Sequence, residues 1–453
     1  MKRATQMNLA NTAFVLVASI LVLFMTPGLA FFYGGLVSEK NVVNTMLSVF
    51  IMTGMAILLW VFVGYSLSFS GDVAGVIGNL REAFFHGVRL STLTTGQIPV
   101  GAYALFQMMF AIITPALFVG AVVGRIRFKF LLLFLVGWSL FLYYPLVHLV
   151  WSPAGWLAHW GVLDFAGGTV VHINAGVTAL VLSAWLGPRL KSNTGNPHYN
   201  LPWVLLGTAI LWIGWYGFNA GSALAVNDVA LQAALTSTVA TATAMVVWMG
   251  LDIWRHGKPT LVGVCTGTLC GLVGITPGAG YVTIMGAVAI GAIATLTSYV
   301  FVTRIKPRLG IDDALDAFGC HGVSGIVGSV LVGAFATKTV NPVVTTNGLL
   351  YGGGGRLLGI QVGATLFTIV LVAAGVSLLV WGLRQVCPMR VGIAEEEAGL
   401  DLGEHGERVD STVARQARLA AFRPEQERFE PEFRGQLQHL TPHDATRSGL
   451  HGR

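Results

Sequence analysis

Long apolar stretches separated by short polar turns run through most of the chain. The first covers about twenty residues and ends in Phe31, Phe32 and Tyr33. Others follow at roughly 42 to 66, 101 to 124, 128 to 150, 169 to 187, 201 to 220, 230 to 251, 259 to 276, 281 to 302, 320 to 336 and 356 to 386. A bilayer needs about 20 apolar residues per helix, so the pattern predicts about eleven membrane-spanning helices. Met1 to Ala30 has the charged start and small-residue end of a signal peptide, but the apolar run continues past that end. It is read as the first spanning helix.

The loops sort by charge. One set holds Lys40; Arg125, Arg127 and Lys129; Arg189 and Lys191; Arg255 and Lys258; Arg304, Lys306 and Arg308; then Arg384 and Arg390. The other holds little beyond Arg81, Arg89, Lys338 and Arg356. The positive-inside rule therefore predicts an outside N-terminus and a cytoplasmic C-terminus, against the dissent of Lys2 and Arg3.

A spacing recurs. Asp164 is followed after eight positions by His172 and after four more by Gly176; Asp313, His321 and Gly325 repeat it. Phe32, Gly35 and Asn41 share their offsets with Phe218, Gly221 and Asn227. Five spans separate each element from its counterpart, and an odd number reverses its sense through the membrane. The expected fold is an all-α polytopic membrane protein with an inverted five-helix pseudo-two-fold repeat plus a last long helix. Such repeats recur in transport proteins, with the substrate path between the halves. Function is expected between the fifth and tenth spans. An ionisable ring at bilayer depth is costly, so the matched His172 and His321 read as a functional pair. The alternative is two core histidines bonded to nearby carbonyls.

With 54% hydrophobic and 11% charged residues and a mean hydropathy of +0.70, there are too few charges to coat a soluble surface. The net charge of +6 is scattered over loops and a tail, which argues against a nucleic-acid partner. Cys265, Cys270, Cys320 and Cys387 make no CxxC pair and no zinc spacing, and two histidines are too few ligands for structural zinc. Neither metal nor cofactor is expected. The run Gly352 to Gly355 lacks the Lys-Ser or Lys-Thr of a phosphate loop, and most of the 57 glycines read as helix-packing residues. After Cys387-Pro388 the composition turns charged and polar. Residues 1–386 are read as the transmembrane domain and 387–453 as a cytoplasmic, partly disordered regulatory tail. No active-site constellation accompanies the His pair, so an enzyme is not expected.

The runs FYGGLVSEKN, FVGAVVGR, LDFAGGTVVHINAG, GWYGFNAGSAL, GLVGITPGAGYV and DAFGCHGVSGIVG resemble signature segments of the Amt/Mep/Rh ammonium transporter family, in its bacterial Amt branch. The resemblance spans roughly residues 8 to 400. It implies a homotrimer in the cell (inner) membrane, with a pore through each subunit. His172 and His321 match the twin pore histidines, Phe110 and Phe218 the paired rings that gate the outer side, and Trp151, Ser222 and Phe106 the outer recruitment site. Asp164 matches a carboxylate that holds backbone and shapes the field, and Asp313 is its repeat equivalent; Tyr143 and Thr276 match further pore or vestibule positions.

The residues alone leave Trp151 and Phe106 open between cation recruitment and interfacial anchoring, and Phe110 and Phe218 open between gate and ordinary core. The expected activity is electrogenic ammonium transport, with methylammonium as a related substrate, membrane lipid around the trimer, and a PII-type signal protein meeting the tail at Val391 to Glu407. The alternatives are a Rhesus-like neutral channel for ammonia or carbon dioxide, and an ammonium sensor signalling through its tail.

Overall fold

The computed structural model describes residues 6–193, 195 and 197–409; the expected disorder of the tail beyond 409 lies outside them. Among the described residues ten helices are long and apolar enough to cross a membrane. They are α1 (Leu9–Leu36), α2 (Glu39–Phe69), α3 (Val100–Val122), α4 (Phe128–His159), α5 (Gly168–Leu186), α6 (Leu201–Ala223), α7 (Asp228–His256), α9 (Ile284–Leu309), α10 (Phe318–Phe335) and α11 (Arg356–Leu383). The expected span at 259–276 is the shorter α8, Leu261–Ile275, whose 15 residues rise about 22 Å. Among the described residues the only β pairing is isolated bridges. The protein is a multi-pass helical membrane protein.

Polar side chains at the helix starts satisfy backbone N–H groups that have no partner within the helix. Asn8 accepts from Asn11, Asn200 from Trp203, Asn227 from Ala230, Thr260 from Gly263 and Thr283 from Gly286. α3 is buried over most of its length, whereas α2, α7 and α11 are largely exposed and present residues such as Phe50, Leu58, Leu366, Val370 and Leu378. In lipid these apolar faces need no cover.

The repeat is visible in how partner helices meet. α1 crosses α6 on glycines: a Cβ on Gly207 would lie 2.4 Å from the Phe32 backbone nitrogen and one on Gly217 would lie 2.6 Å from the Ala18 carbonyl oxygen. α5 crosses α10 in the same manner, since a Cβ on Gly176 would lie 2.3 Å from Gly322 Cα and one on Gly325 would lie 3.0 Å from His172 Cβ. The glycine four positions after each histidine is therefore where the two helices touch. Wide π-type turns also recur in repeat-related helices, at Ser139–Tyr143 in α4 and Phe301–Ile305 in α9, and at Gly168–Ile173 in α5 and Phe318–Val323 in α10.

The segment after α11 folds back over the basic loops through α12 (Ile393–Ala398) and α13 (Leu400–His405). Glu395 and Glu404 pair with Arg127 at 2.9 and 3.2 Å, and Glu396 with Arg390 at 2.7 Å. Asp401 accepts from the Val43 and Asn44 N–H groups at 3.0 and 2.7 Å, while Leu400 N–H donates to Asn41. Burial raises the Asp401 carboxyl above its ordinary value despite these bonds. Gly399, at φ +95°, lets the chain run against Lys40; a Cβ there would sit 2.5 Å from the Lys40 carbonyl oxygen.

Candidate functional site

The ends of α3, α4 and α6 and the loops before α5 and α9 enclose a cavity of about 250 Å³. Tyr103, Phe106, Gln107, Phe110, Trp151, Asp164, Ser222 and Tyr281 are among its lining residues. It opens on the face opposite the basic loops, as the alternation of spans requires. The Ser222 hydroxyl donates to the Phe218 carbonyl at 2.8 Å. Its hydrogen is thereby engaged, leaving oxygen lone pairs to accept from a visiting N–H group. Trp151 Nε1 donates to the Asp164 carbonyl at 3.1 Å, which fixes the indole at the rim.

Inward from the vestibule the aromatic rings form a continuous file. Phe106 meets Phe110 with centroids 5.1 Å apart, Phe110 meets Trp151 at 5.5 Å and Phe218 at 4.4 Å, and Phe218 meets His172 at 5.8 Å. His172 and His321 then stack, with centroids at 5.4 Å and planes 14° apart. Phe110, Phe218, His172 and His321 are all at most 2% exposed. The structure thus brings together seven of the residues singled out from sequence: Phe110 and Phe218, His172 and His321, and Phe106, Trp151 and Ser222 around the mouth.

Neither nitrogen of His172, nor Nδ1 of His321, has a hydrogen-bonding partner in the protein. A direct bond between the two imidazoles is therefore not made: stacked rings direct their nitrogens sideways, past one another. Both histidines also differ from core histidines satisfied by neighbouring carbonyls. Each sits in one of the π-type turns, where the extra residue per turn rotates a side chain off the regular helical face.

The two aspartates hold these turns from opposite ends of the molecule. Asp164 Oδ1 accepts from the Gly167 and Gly168 N–H groups at 2.9 and 2.6 Å, and Oδ2 from Thr169 and Val170 at 2.9 and 3.3 Å. Burial still raises its carboxyl above the ordinary value, with the four backbone bonds opposing. Asp313 accepts from Ala317 and Phe318 at 3.0 and 2.8 Å, the same offsets as Asp164 uses for Gly168 and Thr169. Burial, and then Asp316, push its carboxyl up to about 6, against the pull of Lys306. Lys306 itself bonds the Asp316 carboxylate. Nearby, burial pushes Asp312 up, but Arg189 and Arg125 outweigh it and bring the carboxyl to about 2.

Tyr143 and Thr276 stand apart from the vestibule. Tyr143 stacks on Trp138, with centroids 5.5 Å apart. Thr276 accepts from Trp215 Nε1 at 2.8 Å and donates to the Leu272 carbonyl at 2.7 Å. Trp215 was not singled out by sequence, yet its indole stacks on His172 at 5.4 Å and 12°. The available signal was its place three residues before Phe218, which puts both on one face of α6. Thr276 therefore holds the indole that stacks on His172. Tyr103 and Gln107 were likewise missed; Gln107 Nε2 donates to the Tyr103 hydroxyl at 3.3 Å across one helical turn. Among the described residues no group of three or more His, Cys, Asp or Glu is placed to hold a metal ion.

An inverted-repeat bundle with a funnelled vestibule leading to buried polar rings defines a membrane transport protein. The comparisons with known proteins carry that further. The model of the Ammonium Transporter Family matches residues 13–409, and the chain belongs to that family. An ammonium transporter of Aquifex aeolicus is 47% identical over 406 residues, covering 89% of this chain and 94% of the relative. One of Bacillus subtilis is 40% identical over 403 residues, covering 89% and 98%. The crystal structure of Saccharomyces cerevisiae Mep2 superposes with a TM-score of 0.79 at 34% identity, over 86% of this chain and 89% of that one.

Proposed function

We propose that the protein transports ammonium by binding the cation in the vestibule, removing a proton there, and passing ammonia inward while the proton follows separately. The observation that carries this reading is the unbroken file from Phe106 to His321, which ends in imidazole nitrogens with no protein partner.

Ammonium has an acidity near that of a Lys head group, about 10 in pKa, so at neutral pH almost all of the substrate is charged. The faces of Trp151 and Phe106 and the lone pairs of Ser222 replace part of its hydration; each aromatic face contributes about 0.5 to 2 kcal/mol. A bare ion going further would meet a penalty on the order of tens of kcal/mol, which rings cannot offset. Phe110 and Phe218 close the passage to hydrated ions. Potassium and sodium carry no proton to shed, so deprotonation itself discriminates against them. Beyond the gate, ammonia can donate to one imidazole nitrogen and accept from another. Because the stacked rings do not bond each other, the proton relay of His172 and His321 runs through a molecule lying beside them. Asp164 serves by holding the turn that carries His172, and Asp313 does the same for His321.

This reading sets the vestibule outside the cell and the basic loops in the cytoplasm, following the loop charges. It extends to a homotrimer with one pore per subunit and methylammonium as an alternative substrate, supported by family membership. A PII-type partner would meet the basic face, where α12 and α13 lie. The test is the current evoked by an ammonium pulse in liposomes holding the purified protein. A transient that scales with protein density and is absent with sodium or potassium is expected. A protein-dependent change of internal pH without current would replace this reading by neutral gas conduction. In His172 or His321 variants, current is expected to fall while ammonia flux persists; unchanged current refutes the relay.

A further inference from the structure

Away from the pore, Cys270 on α8 and Cys320 on α10 form a buried dithiol that transport does not use. Both are free thiols, 0% and 4% exposed. Both belong to one buried cluster, and the Ser298 and Ser324 hydroxyls lie beside the turn that carries Cys320. Those hydroxyls lie 2.8 Å apart, and Ser298 donates to the Gly319 carbonyl at 2.8 Å. Trp248 and Tyr299, edge to face at 5.1 Å, wall the pair with apolar surface. Cys320 directly precedes His321 within the π-type turn Phe318–Val323.

We propose that Cys270 and Cys320 are a binding site for a soft metal cation that prefers linear, two-thiolate coordination, with mercury(II) as its best-matched member. Thiolates select soft metals, and zinc would need further ligands, which the described residues do not bring to this place. Charge decides among the soft cations. Each thiol gives up its proton as its sulfur bonds the metal, so two thiols and one mercury(II) yield a neutral bis-thiolate and two protons. A neutral product avoids the penalty of a buried charge. The metal must enter between the two sulfurs, inside a close-packed wall, so the turn carrying Cys320 and His321 has to shift. Occupation therefore disturbs the stack of His321 on His172. The transport consequence rests on the function proposed above, whereas the metal site does not.

The test is to treat the intact protein in liposomes with HgCl2, wash with a monothiol, and measure both bound mercury and ammonium flux. The wild type is expected to retain one mercury per chain, bridged between the peptides carrying Cys270 and Cys320, and to lose most of its flux. Cys270→Ser, Cys320→Ser and the double alanine variant should release the metal to the monothiol. Their half-inhibiting HgCl2 concentration should rise about a hundredfold, the advantage two linked ligands hold over one. Cys265→Ala and Cys387→Ala should behave as wild type. Equal retention by the double variant, or mercury found on Cys265 or Cys387 instead, overturns the site. Bridged mercury with undiminished flux overturns its coupling to His321.

Discussion

The role assigned to Asp164 can be tested by Asp164→Ala. The substitution removes every acceptor for the N–H groups of Gly167, Gly168, Thr169 and Val170, bound at 2.9, 2.6, 2.9 and 3.3 Å. Each buried N–H left without a partner costs about 1 to 3 kcal/mol. The Val170 bond is long and contributes least, and Gly167 and Gly168 share one oxygen. Against the loss stands the relief of no longer burying a carboxylate, which is what raises its pKa. A net destabilisation of about 3 kcal/mol follows, above the common range for a lost helix cap because these groups are shut away from water. Asp164→Asn keeps one acceptor oxygen and also sheds the buried charge, so it should cost about 1 kcal/mol. The assay pairs thermal unfolding in detergent with flux in liposomes. Alanine should lower the midpoint and the flux together, and asparagine should lower both less. An alanine variant that unfolds with the wild type would refute the backbone role. An asparagine variant with a normal midpoint but no flux would show that the carboxylate charge acts on the ion itself.

Asp313 gives a pH dependence. Its carboxyl stands at about 6 in the folded protein against an ordinary 3.8, so the stability it contributes is complete below about pH 4 and is lost as pH rises through 6. With Asp316 and Lys306 beside it, the change is on the order of 3 kcal/mol; the fall in midpoint between about pH 4 and about pH 7 should shrink in Asp313→Asn, and an unchanged fall refutes the assignment. Gly176→Ala places a Cβ 2.3 Å from Gly322 backbone, which cannot rotate aside. It should cost at least about 1 to 3 kcal/mol and most of the flux, whereas Gly359→Ala, with nothing within 4 Å, should be neutral or mildly stabilising; equal midpoints for the two would contradict the α5–α10 contact. Asp401→Ala frees the Val43 and Asn44 N–H groups and should weaken the hold of α13 by about 1 kcal/mol, read as faster hydrogen exchange at 41–45 and easier proteolysis at 391–407. Unaltered exchange would mean that the ion pairs of Arg127 hold the segment alone.

Much of this molecule is legible in one dimension because a bilayer imposes a one-dimensional rule. Backbone polar groups must be satisfied within each span, so apolar length reports helices and loop charge separates the two faces. The repeated Asp-His-Gly spacing likewise exposed the pair at the centre, since matched ionisable residues in apolar helices stand out against a background of Leu, Val and Gly. Only the tertiary structure decided what those residues do to one another. Whether two imidazoles bond or stack depends on the rotation of each helix at its π-type turn, which no periodicity announces. Trp215 looks like any interfacial Trp until Thr276, 61 residues away, fixes its indole against His172. The stretch after Cys387 reads as a polar tail, yet through Glu407 it is part of the compact body, because its carboxylates meet Arg127 and the start of α2 across some 270 to 360 residues of chain. Hydropathy scores each residue by itself, and these pairings exist only once the helices have packed.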